Sequence, residues 1–315
     1  MASEIIYTFS WNLNGLVSHG RFDNLFSVLE LHKFPHIVYL QETHAFSKNH
    51  IDNWKKQLPL YNCYFNLGSY KSCGTAVLVL KSLPFTLYHE IQDTSEGRFS
   101  ILKGRLFEDL VTLASVYAPV EIKDQPAFFE RLFSTNLEGI KLIMGDFNSV
   151  PNLAMDRINT NKAINHSLKD FIKFTNTVDA WRHKNPTKLD FTCRAISRID
   201  LVLVSDIFCN QIVECQIGGS YTSDHRTLVT KFKFSNAVWG KDFRKIRSST
   251  IKLPKYSDVF YKVWNECMLK FHQEIYSKLL NKTFIGDMGT AALIWERDKS
   301  CTHPIFLDNL TFNPS

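Results

Sequence analysis

The chain lacks most of the features that would assign it quickly. No apolar run approaches the ~18 residues needed to span a bilayer, and no pair of cysteines has C-x-x-C spacing. Its seven cysteines, Cys63, Cys73, Cys193, Cys209, Cys215, Cys267 and Cys301, are odd in number and scattered. A zinc ribbon and a disulfide framework are therefore not indicated, and a reduced compartment fits best. The opening MASEIIYTFSW has neither a basic n-region nor an apolar h-region, so the expectation is an intracellular protein, nuclear or cytoplasmic and not secreted. Internal repeats and low-complexity tracts are missing too. Charge of one sign is in only slight excess: 37 Lys and Arg against 31 Asp and Glu give a formal +6. That balance accommodates a polyanionic partner without requiring one.

What is present is a globular composition, 44% hydrophobic and 22% charged, in a chain long enough for one large core and an appendage. EIIYTFSW, HIVYLQE, GTAVLVL, VTLASVY, IKLIMGD, RIDLVLV, QIVECQI and TLVTKFKF read as strands, being short runs rich in β-branched and aromatic residues. Phe22, Leu25, Phe26 and Leu29 follow helical spacing, as do Leu168, Phe171, Ile172 and Thr175, and QPAFFERLFS predicts a third helix. Strands in this number with helices at intervals predict two packed sheets with helices outside, a four-layer α/β sandwich. The texture changes after Phe234. Residues 1–235 read as the folded domain and 236–255 as a basic linker containing Lys241, Arg244, Lys245 and Arg247. Residues 256–315 read as a helical extension, with Phe260, Val263, Trp264, Met268, Phe271, Ile275 and Leu279 on an apolar stripe.

The predicted strands end in polar groups. Asn12 and Asn14 follow the first, Glu42 the second, Tyr117 another, and Asp146 and Asn148 close IKLIMGDFN. Asp200 opens RIDLVLV, and Ser223, Asp224 and His225 precede the last strand. Each alone has a plainer reading as a turn former, a cap or a surface residue. Set side by side, however, they offer carboxylates to a hard divalent cation, amide and phenol donors, and one Asp–His pair. Mg²⁺ takes oxygen ligands from one or two carboxylates and leaves its other positions to water and phosphate. The inventory suits metal-assisted phosphodiester hydrolysis. It suits zinc poorly, because no two histidines lie at ligand spacing on one helix.

The segments WNLNG, QETH, YAP, GDFNS, SRID and SDHR, in this order, resemble those of the endonuclease/exonuclease/phosphatase superfamily. They are most similar to the apurinic-type endonuclease domains of LINE-like (non-LTR) retrotransposons, relatives of exonuclease III. The resemblance spans residues 4–234. It implies a DNase I-like sandwich and a Mg²⁺-dependent enzyme, with Mn²⁺ as a substitute ion, that nicks double-stranded DNA and leaves a 3′-hydroxyl; no obligate protein partner is inferred, and a monomer is expected. By matching motif, Glu42 would be the principal metal ligand with Asn12 beside it and Asp224 in support. Asp146 would orient or deprotonate the attacking water, Asn148 and Tyr117 would contact the scissile phosphate, and His225, oriented by Asp200, would stabilise developing charge. Thr192 and Ser223 would lie at the phosphate-binding edge. Asn14 stands where repair-type relatives carry Asp, which favours the retrotransposon type. Arg194 and Arg198 lie in the short segment CRAISRI, where many relatives carry a longer DNA-reading hairpin, and would touch phosphate or a narrow minor groove. The same set would also serve an apurinic/apyrimidinic repair enzyme. Further readings are an inactive nucleic-acid-binding remnant and a phosphodiesterase acting on lipid or inositol phosphates, the last disfavoured by the lack of a membrane-binding stretch.

Overall fold

Apolar runs with no polar alternation belong to strands covered on both faces, and a computed structural model of the protein places them so. It describes residues 4–69, 71–158 and 166–234; the predicted linker and helical extension lie outside these. In chain order the elements are β1 (Glu4–Asn12), α1 (Arg21–Leu31), β2 (Ile37–Gln41), α2 (Lys48–Gln57), β3 (Tyr61–Phe65), β4 (Ala76–Leu80), β5 (Phe85–Gln92), β6 (Phe99–Leu106) and β7 (Asp109–Tyr117). There follow α3 (Gln125–Ser134), β8 (Ile140–Asp146), α4 (Leu153–Asp156), α5 (His166–Phe174), β9 (Thr177–Asp179), α6 (Ala180–Lys184), β10 (Asp200–Ser205), β11 (Ile212–Ile217) and β12 (Leu228–Phe234).

Two six-stranded sheets result, ordered β11-β12-β1-β2-β4-β3 and β5-β6-β7-β8-β10-β9. The pairs β1–β2 and β7–β8 are parallel and every other pair is antiparallel. Ile6, Tyr39 and Val77 of the first sheet pack against Leu113, Met144 and Val202 of the second. The outer face of the first sheet carries α1 and α2 through Leu25, Leu29, Ile51 and Trp54. The outer face of the second carries α3 and α5 through Phe128, Phe129 and Phe171. The DNase I-like four-layer sandwich is thus the observed fold.

All eight expected strands form, as do the three helices expected within residues 1–235. Strands β3, β5, β6 and β9 and helices α2, α4 and α6 were not legible. In β6, Lys103 and Gly104 interrupt the apolar run although both are buried. β5 lies at a sheet edge and is largely exposed. Helix α2 buries only Ile51 and Trp54, too short a stripe to stand out. Its start is fixed by Ser47, whose hydroxyl accepts the His50 N–H at 3.3 Å.

The inward faces of the central strands share one gradient. Read along β1 they run Ile6, Thr8, Ser10, Asn12, and along β2 they run Ile37, Tyr39, Gln41. On β7 the series is Val111, Leu113, Ser115, Tyr117; on β8 it is Leu142, Met144, Asp146; on β10, running the other way, it is Val204, Val202, Asp200. Each begins apolar and ends polar at the same end of the sandwich. Register then sets Asp146 beside both Tyr117 and Asp200. Gly145 permits the close parallel contact of β8 with β7. Its φ is 147°, and a Cβ there would lie 2.0 Å from the Val116 carbonyl oxygen.

Candidate active site

Asn12 is the hinge of the polar end. Its amide Nδ2 donates to Glu42 Oε1 at 2.8 Å and to Asp146 Oδ2 at 3.0 Å, joining the first sheet's carboxylate to the second's. Its Oδ1 accepts the Asn14 N–H at 3.0 Å. Asn12 therefore ties two carboxylates together, and would have to turn its amide to give an oxygen to a cation. Glu42 follows β2 in the left-handed region, φ 50°, as does His44, φ 55°. His44 Nε2 reaches Glu42 Oε2 at 3.2 Å. Asn14 and Asn148 share this unusual backbone, with φ 50° and 47°. Such conformations concentrate where surroundings over-determine the chain.

On the second sheet, Asp146 Oδ1 accepts the Asn148 N–H at 2.8 Å. Asn148 donates through Nδ2 to the Ala118 carbonyl at 2.9 Å. Asp200 lies across from Asp146 and holds His225, whose Nδ1 is 2.9 Å from Oδ2 and 3.1 Å from Oδ1. His225 Nε2 is 3.9 Å from Asp146 Oδ2, so the imidazole sits between two aspartates. Ser223 completes the frame. Its hydroxyl donates to the Asn12 carbonyl at 2.7 Å and accepts the His225 N–H at 3.1 Å.

These surroundings drive the carboxylates apart. Burial alone would raise Glu42, but hydrogen bonds from His44, Asn12 and Tyr117 outweigh it and hold the acid below its usual range. Asp146 moves the other way. Burial, and then the neighbouring charge of Asp200, raise it against the opposing pull of His225, Asn148 and Asn12. His225 is raised as well: burial opposes its charge, and the adjacent Asp200 carboxylate overrides burial. The Tyr117 phenol is raised by burial and by Glu42 and Asp146, and so stays a donor.

The structure thus brings together Glu42, Asn12, Tyr117, Asp146, Asn148, Asp200 and His225. It places four other expected residues differently. Thr192 is fully buried, and its hydroxyl accepts the Ile199 and Asp200 N–H groups at 3.2 and 3.1 Å. It fixes Asp200 from behind, not a phosphate edge. Ser223 likewise spends its hydroxyl on Asn12 and His225. Arg198 is fully buried, with Nε 2.9 Å from Asp156 and Nη2 2.6 Å from Asp179, and no groove contact is open to it. Asp224 is ion-paired to Arg194 at 2.9 Å and accepts from Asn14 Nδ2 at 3.4 Å. It is absent from the tight group of Asp146, Asp200 and His225, whose ligand atoms lie within 4.8 Å of one another. Reading the sequence gave no role to His44, although it ends the QETH motif, or to Arg98, which had no signal at all. The Arg98 guanidinium lies 5.5 Å over the Tyr117 ring.

Oxygen donors dominate the site and Glu42 is held ionised, so the residues fit a hard divalent cation. No helix among the described residues is long and apolar enough to cross a membrane.

Solved structures share this architecture. An AP endonuclease from Leishmania major superposes with a TM-score of 0.61 at 17% identity, over 73% of this chain and 88% of that one. An AP endonuclease from Archaeoglobus fulgidus gives 0.59 at 19% identity, over 72% and 99%. A Neisseria 3′ phosphatase bound to product DNA hairpin gives 0.57 at 17% identity, over 73% and 100%. At such identities the likeness shows a shared fold. Sequence supplies the membership: residues 9–225 match the Endonuclease/Exonuclease/phosphatase family, and the chain belongs to it.

Proposed function

We propose that this protein is a divalent-metal-dependent DNA endonuclease. It hydrolyses one phosphodiester bond of double-stranded DNA to leave a 3′-hydroxyl nick, as in target-site nicking by LINE-like retrotransposons. It works as a monomer, in the nucleus or cytoplasm. The observation that carries this reading is the convergence of Glu42, Asn12, Asp146, Asp200 and His225 from both sheets at one end of the sandwich.

Glu42, supported by Asp146 or a turned Asn12, would hold Mg²⁺ or Mn²⁺. The ion would polarise the scissile phosphate and offset its charge. Asp146, buried with its proton affinity raised, is suited to accept a proton from the attacking water. Asp200 fixes His225 Nδ1–H, leaving Nε2–H to donate to a phosphate oxygen as negative charge develops. Asn148 has a second amide hydrogen to place against the same phosphate, and Tyr117 would turn its single phenol hydrogen there from Glu42.

The test is nicking of supercoiled plasmid in Mg²⁺ by wild type, Asp146→Ala and an EDTA control. Nicking by wild type alone, with Asp146→Ala slower by orders of magnitude, supports the proposal. A folded wild type that does not nick would overturn it in favour of a binding remnant or another phosphodiester substrate. A second reading, apurinic/apyrimidinic repair, is favoured by the AP endonucleases among the structural neighbours. Mapping the ends separates the two: cutting confined to an abasic site in a duplex supports repair, and cutting of intact T/A-rich DNA supports target-site nicking.

A further inference from the structure

His225 belongs to two clusters. One is the oxygen-rich group with Asp146 and Asp200; the other joins it to Cys193 and Asp224, whose donor atoms lie within 4.8 Å of one another and of a His225 ring nitrogen. Cys193 is half-buried in the turn that follows Thr192, where its N–H donates to the Ser197 carbonyl at 2.9 Å. We propose that Cys193, Asp224 and His225 form a binding site for a thiophilic divalent cation, Zn²⁺ or Cd²⁺. Occupancy of this site shuts off the neighbouring catalytic group by capturing His225.

Three observations carry the proposal. The donor set of thiolate, carboxylate and imidazole is what a soft or borderline cation prefers, whereas Mg²⁺ prefers the all-oxygen side. Tetrahedral zinc with bonds of about 2.0–2.3 Å needs ligand atoms about 3.5 Å apart, so donors within 4.8 Å close onto one ion by small rotations. Finally, a metal-binding histidine usually has its other ring nitrogen on a carboxylate, and Asp200 already stands 2.9 Å from His225 Nδ1. Arg194, paired with Asp224, does not block the site. Its side chain is 71% exposed and can leave for solvent at little cost. Binding releases two protons to solvent, one from the Cys193 thiol, since the thiolate is the ligand, and one from His225 Nε2, whose lone pair the ion takes while Nδ1–H stays on Asp200. The fourth position stays open to water.

The probe is the ion itself, added to the reduced, metal-free full chain. Co²⁺ or Cd²⁺ should produce a thiolate-to-metal charge-transfer absorption that saturates at one equivalent. The band should vanish in Cys193→Ser, or in Cys193→Ala should the serine variant not fold, and persist in the control Cys209→Ser. His225→Gln should retain it with weaker affinity. In the nicking assay, with each protein measured against its own rate without Zn²⁺, Zn²⁺ against excess Mg²⁺ should inhibit wild type and the control Cys209→Ser and spare Cys193→Ser. An equal band, or equal inhibition, in folded Cys193→Ser would overturn the proposal. The inhibition arm rests on the nuclease reading and the absorption arm does not, so a chain that never nicks can still confirm or refute the cation site.

Discussion

Arg194 and Arg198 are four residues apart in one short turn and have nothing else in common. Arg194 is 71% exposed, has a left-handed backbone at φ 48°, and holds one partner, Asp224, at the rim. Arg198 is fully buried, forked between Asp156 and Asp179, with its guanidinium carbon 4.9 Å from the centre of the Trp181 ring. Arg182 lies over the same ring at 4.9 Å and shares Asp156. Asp179 also caps α6 by accepting the Trp181 and Arg182 N–H groups, each at 3.1 Å. Arg198 therefore locks three pieces of chain together two residues before Asp200 enters its strand. The lesson is that an arginine near a site acts on substrate only if its partners leave it free. The partners, not the residue type, set the role.

The largest effect should come from breaking the buried side of this contrast. Arg198→Ala leaves Asp179 buried without its cation and Asp156 with only Arg182. Removing one member of a buried pair costs about 3–5 kcal/mol. Urea or thermal unfolding should show that loss. Arg198→Lys should not restore it, because an ammonium cannot bridge two carboxylates as a fork does. A loss within about 0.5 kcal/mol, the level of ordinary surface substitutions, would refute the locking role.

Arg194 is the counterpart. Arg194→Ala should leave stability within about 0.5 kcal/mol of wild type. If the residue meets a DNA phosphate, the slope of log affinity against log salt should fall by about one. An unchanged slope would confine Arg194 to its pair with Asp224.

The same contrast explains how far the sequence could be read. Strand ends were legible because each inward face changes from apolar to polar at one point, and that change is a local pattern. Glu42, Asp146, Asp200 and His225 were found this way. What Thr192, Ser223 and Arg198 do was not legible, because it depends on partners outside the local pattern. Thr192 serves the backbone of Asp200, Ser223 joins Asn12 to His225, and Arg198 answers Asp156 and Asp179 across 42 and 19 positions. Arg98 was missed for the opposite reason: it stands just before β6, a strand whose Lys103 and Gly104 hid it.

Glu96 gives the smallest effect and marks the exposed limit of the comparison. Its carboxylate pairs with Arg98, which overlies the Tyr117 ring, and with Arg131 Nη2 at 3.0 Å. The Arg98 hydrogen bond, opposed by some burial and helped by Arg131, holds the acid below its ordinary 4.5. A depressed carboxylate contributes stability above its unfolded value and loses it as pH falls through the folded value. The stability difference between wild type and Glu96→Gln should therefore be constant above the ordinary glutamate range and shrink as pH falls below it, through the depressed folded value. Its size should stay under about 1 kcal/mol, since the group is 42% exposed and screened by solvent. Salt at about 1 M should flatten it further, whereas the Arg198 effect, shielded by burial, should survive the same salt. A Glu96 contribution that persisted at high salt would place this pair with the buried network instead of the rim.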